Sequence, residues 1–217
     1  MQNDFIIALA WPEGMVTCAG AWYDFLFAKN GKYRVGHSAL VLVQRKTGKL
    51  CYFDFGRYHS PKDYGRVRDI NTDRDVAIKT KVNIENNNIV NLKDILIEIK
   101  NNESFHGEGT LYASILNDVS FEKAYKYAKE TQNKGLIPYG PFVYKGTNCS
   151  RFVASVMRSS SPTYIKNARL KFPICVSPSP KRNVGIANAN FYKITENSFV
   201  EIKRNWIESY LKSIERS

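Results

Sequence analysis

The sequence predicts an α+β fold in which an antiparallel sheet packs against separate helices. Apolar segments of strand length are joined by polar turns, and the amphipathic helices do not alternate regularly with the strands. The chain has 217 residues, of which 43% are hydrophobic and 24% are charged. This composition is typical of a globular protein with a buried core. We expect residues 1–217 to form a single domain.

Four apolar segments and one C-terminal hairpin are predicted to form the sheet. They are Phe5–Trp11, Tyr33–Gln44, Leu50–Tyr58, Val76–Ile84 and the hairpin Phe191–Ile202. The second and third segments are predicted to be antiparallel neighbours, because a polar connection with a glycine joins them. A two-residue turn at Thr47-Gly48 would place His37 opposite Tyr58, with Asp54 on the same face of the sheet.

Four helices are predicted from apolar spacing and capping residues. They are a helix that follows Asn91, a helix from Ser120 to about Gly135, Cys149–Arg158, and a terminal helix with apolar residues from Trp206 to Ile214. The segments Gly56–Asp75 and Ser159–Pro180 are predicted to be loops, because they are rich in polar residues, glycine or proline.

The net charge of +12 is the main deviation in composition. It suits nucleic acids, anionic lipids or acidic polymers, but no nucleic-acid-binding motif accompanies it. The basic residues, Arg66 and Arg68 among them, are assigned to a solvated surface that an anionic substrate or membrane could use. No segment reaches the roughly 20 apolar residues that span a bilayer. The N-terminus lacks the basic start of a secretory signal, so we expect a cytoplasmic protein.

The cysteine and histidine spacings exclude the common metal motifs. The cysteines are Cys18, Cys51, Cys149 and Cys175, and the histidines are His37, His59 and His106. None of them forms a C-x-x-C, H-x-x-x-H or H-E-x-x-H pattern. No metal site or cofactor is therefore predicted, whereas one cysteine could be a nucleophile.

Cys149 is the candidate nucleophile. Thr147 or Asn148 can cap the helix that begins there, which places the thiol in the first turn. The backbone N–H groups and the helix dipole at this end favour a thiolate and can hold a developing oxyanion. Because Cys149 shares a helical face with Phe152 and Val153, the thiol is expected to point toward the sheet. The alternative is an inert cysteine on the apolar face.

His37 is the candidate general base. In a strand it shares one face with Ala39 and Val41, while Ser38 and Leu40 share the other. Both faces are apolar, which predicts a central strand, and an imidazole there needs a hydrogen-bonding partner. A facing cysteine would form a thiolate–imidazolium pair with it and leave the histidine to transfer the proton. The alternative is a buried histidine with a structural hydrogen bond.

Together, the two motifs resemble a known family. Gly36–Leu42 is similar to the strand that carries the general base in circularly permuted papain-like hydrolases, and Asn148–Val153 is similar to their nucleophile helix. This NlpC-related group includes the lecithin retinol acyltransferase-like enzymes and the bacterial YiiX-like proteins. Asp54–Tyr58 and Gly65–Arg68 resemble an uncharacterised bacterial branch. In unpermuted NlpC-type peptidases, by contrast, the cysteine precedes the histidine.

The resemblance covers roughly residues 33–158 and implies a papain-like, permuted NlpC-type fold, with residues 181–217 as a C-terminal hairpin and helix extension. It implies a cysteine peptidase, amidase or acyltransferase in which Cys149 forms a thioester and His37 accepts and returns the proton. The expected substrates are a peptide, a peptidoglycan-like peptide or an acyl lipid.

Two candidates compete to orient His37. Asp54 interrupts an apolar run and supplies an ionised carboxylate, although it could also be an exposed edge residue. A bulge or a one-residue slip would instead present His59, the analogue of a second histidine in the acyltransferase branch. Asp54 is the preferred candidate, and Tyr58 opposite His37 is a third.

Other features leave a second function open. The loops His106–Gly109 and Tyr139–Phe142 could border a cleft, or could simply be surface loops. A papain-like module without catalytic activity, which binds an anionic polymer or a protein through its basic surface, is the alternative to an enzyme.

Overall fold

The computed structural model describes residues 3–17, 32–34, 36–140, 143–171 and 179–211. Its strands are β1 (Asp4–Trp11), β2 (Met15–Thr17), β3 (Lys32–Arg34), β4 (His37–Gln44), β5 (Lys49–Gly56), β6 (Tyr64–Arg68), β7 (Ile84–Glu85), β8 (Asn88–Ile89), β9 (Leu111–Val119), β10 (Ile137–Pro138), β11 (Phe191–Ile194) and β12 (Phe199–Ile202). The helices are α1 (Leu92–Asn101), α2 (Phe121–Gln132), α3 (Cys149–Ser159), α4 (Tyr164–Leu170), α5 (Pro180–Ala187) and α6 (Trp206–Leu211). Two 3₁₀ turns lie at Arg74–Val76 and Glu103–Phe105.

Eight strands form one antiparallel sheet in the order β10-β6-β5-β4-β1-β9-β11-β12. Helices α2, α3 and α5 pack on one face, and α1 packs on the other. Both faces of β4 are apolar because both are buried. Leu40 and Leu42 pack in the core formed with α2, α3 and α5, and Val41 and Val43 pack in the core formed with α1. The predicted α+β class, with an antiparallel sheet packed against the helix that carries Cys149, is confirmed.

The connection between β4 and β5 has four residues, Arg45–Gly48, and not the predicted two-residue turn. Its glycine has a φ of +69°, and the glycine N–H donates to the last carbonyl of β4 at 2.9 Å. The register therefore pairs Ala39 with Asp54, and the predicted pairing of His37 with Tyr58 is wrong by two residues. Because side chains alternate with a period of two, this shift leaves Asp54 on the same face as His37.

The predicted strand Tyr33–Gln44 is interrupted at Gly36. This residue has a φ of +63°, and a Cβ there would lie 2.4 Å from the carbonyl oxygen of Trp11. Only glycine fits this turn. The residues before the break form β3, which pairs with β2, while β4 begins at His37. The break thus places His37 at the first position of a central strand.

Two predicted assignments between β5 and α1 are wrong. The segment Gly56–Asp75 is not only a loop, because it contains β6, which pairs with β5. The charged residues of β6 made this strand look like a loop in the sequence. In the structure, two of them, Arg66 and Arg68, form ion pairs. Val76–Ile84 is not one strand, since only Ile84 belongs to a strand, β7. The Glu98 carboxylate on α1 instead accepts the backbone N–H groups of Lys79 and Thr80, at 2.6 and 2.8 Å.

The helices agree better with the predictions. The N-termini of α1, α2 and α3 are confirmed, and the Ser120 hydroxyl accepts the N–H of Lys123 at 3.3 Å. The C-terminal hairpin is confirmed as β11 and β12, and it extends the main sheet through β9. The sequence did not indicate β9 or α5. The prediction of a loop over Ser159–Pro180 is wrong in part, because α4 lies within it. Ile214 lies outside the described residues, as do Cys18 and Cys175. Among the described helices, none has the length and apolarity to cross a membrane.

Candidate active site

Cys149 is the first residue of α3. Asn148 caps this helix, because its side-chain oxygen accepts the N–H of Arg151 at 2.9 Å and its carbonyl accepts the N–H of Phe152 at 2.9 Å. Cys149 is 6% exposed, and the following turn packs into the core under the sheet. The helix start and the inward-facing thiol both agree with the sequence prediction.

The thiol of Cys149 contacts two groups at the start of β4. It is hydrogen-bonded to the ring of His37 and to the backbone N–H of Ser38. The hydroxyl of Ser150 lies 3.9 Å from the sulfur. Burial raises the pKa of the thiol, but these hydrogen bonds and the charge of His37 outweigh burial, so the pKa of Cys149 is lowered from its usual value.

The opposite edge of the His37 ring faces a carboxylate. Nε2 lies 3.1 Å from Asp54 Oδ2 and 3.2 Å from the hydroxyl of Tyr58. An ionised carboxylate only accepts hydrogen bonds, so Nε2 carries a proton and Nδ1 is the nitrogen left for the thiol of Cys149. Burial lowers the pKa of His37, but hydrogen bonds and charges from Asp54 and Cys149 raise it to about 9. Both shifts favour the thiolate–imidazolium form of the pair.

Asp54 is fully buried and accepts hydrogen bonds from four side chains. The hydroxyls of Tyr52 and Tyr58 donate to Oδ2 at 2.9 Å each. Arg68 donates to Oδ1 at 3.1 Å and to Oδ2 at 2.7 Å, and His37 completes the set. Burial raises the pKa of the carboxyl, but His37 and Arg68 outweigh it and hold the pKa well below its usual range.

Tyr58 fits beside His37 because residue 56 is glycine. A Cβ at Gly56 would lie 2.4 Å from the Tyr58 ring. The guanidinium of Arg68 lies 3.5 Å from the centre of that ring, and His106 stacks on it with a centroid distance of 5.2 Å. The predicted loop at His106 therefore borders the site. Trp11, the cross-strand neighbour of His37, stacks on the imidazole with centroids 5.8 Å apart.

The structure excludes two alternatives that the sequence left open and corrects one assignment. His59 is exposed and follows the end of β5 at a φ of +46°, so the slip that would bring it to His37 does not occur. Asp54 is a buried residue and not an exposed edge residue. Arg68, assigned to the solvated surface, is 2% exposed and paired with Asp54. A buried carboxylate needs a cation, and this need was the signal that could have identified Arg68.

The loop before α3 forms one wall beside the nucleophile helix. Tyr139 stacks on Phe55 with centroids 5.7 Å apart, and its N–H donates to the carbonyl of Asp63 at 2.8 Å. The N–H of Gly140 donates to the carbonyl of Thr147 at 3.0 Å. The rest of the predicted loop, residues 141–142, lies outside the described residues.

The described residues contain no cluster of three or more histidine, cysteine, aspartate or glutamate side chains that could hold a metal ion. The arrangement at Cys149 instead combines an acidified thiol, a protonated imidazole and a buried carboxylate. Such a set can carry out nucleophilic attack and proton transfer with its own side chains.

Comparison with known proteins gives a family and a fold. A family described as type VI secretion system effector TseH-like matches residues 6–165, which include His37, Asp54, Arg68 and Cys149. A crystal structure of the type VI secretion system effector TseH is similar over 93% of this chain and 99% of that chain, with a TM-score of 0.57 and 18% identity. No curated protein sequence matches significantly. The chain therefore belongs to the TseH-like family of type VI secretion system effectors.

Proposed function

We propose that the protein is a cysteine hydrolase that cleaves amide bonds through a thioester on Cys149. The observation that carries this proposal is the buried series of hydrogen bonds from Cys149 through His37 to Asp54. A structural cysteine in an apolar core has a raised pKa, whereas the pKa of Cys149 is lowered. The proposed site residues are therefore Cys149, His37 and Asp54.

The chemistry begins with attack of the thiolate on the substrate carbonyl carbon, which places negative charge on the carbonyl oxygen. Backbone N–H groups at the start of α3 stabilise this oxyanion. Asn148 already binds the N–H groups of Arg151 and Phe152, so the N–H groups of Cys149 and Ser150 are assigned this role.

His37 then moves the protons. The imidazolium donates its Nδ1 proton to the departing amine, the C–N bond breaks and the thioester remains. In the second half, the neutral imidazole takes a proton from water while the water oxygen attacks the thioester. The C–S bond breaks, the carboxylic acid leaves and the thiolate–imidazolium pair is restored. Asp54 keeps the ring oriented and keeps the proton on Nε2.

The proposed substrates are peptides, with peptidoglycan-like peptides first, and acyl transfer from lipids is second. The resemblance of Gly36–Leu42 and Asn148–Val153 to permuted NlpC-related hydrolases supports this order, as does a net charge of +12 that suits anionic polymers. The cytoplasmic location expected from the sequence stays a prediction.

The test measures labelling and hydrolysis by the purified protein. A thiol-directed electrophile should label Cys149 first, and Cys149→Ala should abolish both this labelling and release of amines from peptide or peptidoglycan substrates. Cys51→Ala is the matched control, because Cys51 is half-buried and burial raises its pKa.

Two results would count against the proposal. One is hydrolysis that survives in Cys149→Ala. The other is an unreactive Cys149 together with salt-sensitive binding to an anionic polymer, which would support a binding module without catalytic activity.

A further inference from the structure

We propose that Arg68 is a positioning residue that neutralises Asp54 and so leaves the positive charge of His37 to stabilise the Cys149 thiolate. This inference rests on the proposed function and adds a fourth residue to its site. Its basis is the order of charges through the protein interior.

Four ionisable side chains follow one another in contact. Arg68 lies 2.7 Å from Asp54, Asp54 lies 3.1 Å from His37, and His37 is hydrogen-bonded to Cys149. Asp54 and Arg68 are 0% and 2% exposed, and the side chain of His37 is 14% exposed. The charges therefore alternate in sign along a path that is largely shielded from water.

Counting these charges gives Arg68 its role. With the thiolate and imidazolium formed, two positive and two negative charges balance. Without the guanidinium, the two anions Asp54 and Cys149 would share the single cation His37, and a buried site would carry one excess negative charge. Proton uptake by the thiolate removes this excess at the lowest cost, because His37 and Asp54 then remain as a pair.

The other neighbours do not supply the missing charge. Burial raises the pKa of both Tyr52 and Tyr58, so these hydroxyls stay neutral. Burial, and then the charge of Arg68, lower the pKa of His106, so His106 is neutral as well. Among the described residues, Arg66 is paired with Asp73 and Lys129 with Asp69, while Arg151, in the first turn of α3, donates to the carbonyl of Gly140 at 3.4 Å.

The role of Arg68 follows from the choice of aspartate at position 54. A neutral amide there could still accept a hydrogen bond from His37 but would need no cation. Removal of both charges together should therefore raise the pKa of Cys149 less than removal of the arginine alone. This non-additivity separates a charge-balancing role from a purely structural one.

The experiment measures the rate at which iodoacetamide alkylates Cys149 as a function of pH, with each cysteine resolved by mass spectrometry. The variants are Arg68→Met, Arg68→Lys and the double variant Asp54→Asn/Arg68→Met. Arg66→Met is the matched control, since it removes a paired arginine from the same strand, outside the series of four. Circular dichroism verifies that each variant is folded.

Arg68→Met should raise the pH midpoint of alkylation by at least about one unit, which slows the reaction about tenfold at pH values below both midpoints. The double variant should recover most of this loss. Arg68→Lys keeps the charge but loses the two-point contact with Asp54, so its midpoint should rise by less than about half a unit. Arg66→Met should stay within about twofold of the unmodified protein.

Several outcomes would overturn the inference. They are an unchanged midpoint in folded Arg68→Met, a double variant no faster than the single one, or a midpoint in Arg68→Lys raised by about one unit. The Lys and double variants keep the test decisive if Arg68→Met does not fold. If the unmodified protein has the alkylation midpoint of an ordinary thiol, the proposed function itself is refuted. If its midpoint is low and stays the same when Arg68 is replaced, only this inference is refuted.

Discussion

Replacement of Asp54 by asparagine tests the buried charge pair through stability. The substitution keeps the shape but exchanges one carboxylate oxygen for an NH₂ group. Oδ2 accepts from four donors and Oδ1 from Arg68 alone, so the amide nitrogen should take the Oδ1 position. There it faces the Nε–H of Arg68, donor against donor, and leaves the guanidinium buried without its anion.

The expected loss is about 3–5 kcal/mol in the free energy of unfolding, which is typical when one partner of a buried ion pair is removed. Urea denaturation followed by fluorescence measures it. Asp73→Asn is the control, because it breaks a bidentate pair whose side chains are 22% and 13% exposed, and it should cost less than Asp54→Asn. A loss below about 1 kcal/mol for Asp54→Asn would refute the reasoning, as would a loss no larger than that of the control.

Two further predictions concern pH and packing. The raised pKa of His37, about 9, and the lowered pKa of Cys149 predict hydrolysis that is level through neutral pH and falls above about pH 9, where His37 loses its proton. The stability that the protonated ring of His37 contributes should be full below its ordinary pKa of 6.5 and should be lost as the pH rises from there to about 9. A hydrolysis rate that still rises above about pH 9 would contradict the expected pH profile. Gly56→Ala should displace Tyr58, slow hydrolysis and cost about 1–3 kcal/mol, whereas Gly135→Ala, with no atom within 4 Å of its added Cβ, should leave the rate unchanged.

The sequence predicted the residues of the site correctly, although the strand pairing that was used to find Asp54 was wrong. Helical spacing and capping located Cys149 correctly at the start of α3. Asp54 came to the face of His37 although the predicted register was wrong, because the error was two residues and the side-chain period is also two. An odd-numbered error would instead have placed the odd-numbered residues, His59 among them, on the face of His37.

The remaining features depend on contacts between distant segments. Gly36 interrupts its strand because the carbonyl of Trp11 approaches it, and local sequence does not contain that contact. Arg68 belongs in a buried strand only because Asp54 lies on the next strand. Local composition therefore indicated a charged loop where tertiary pairing produces a strand.

The contact between α3 and the start of β4 has a consequence for folding. The thiol, the imidazole and the Ser38 N–H come from segments far apart in the chain, so they meet only after the helix has packed on the sheet. Before that step, Cys149 is an ordinary thiol in water. The acidity of a single sulfur atom therefore reports the completed tertiary structure, and the lowered pKa of Cys149 should return to that of an ordinary thiol in the same cooperative transition that unfolds the chain.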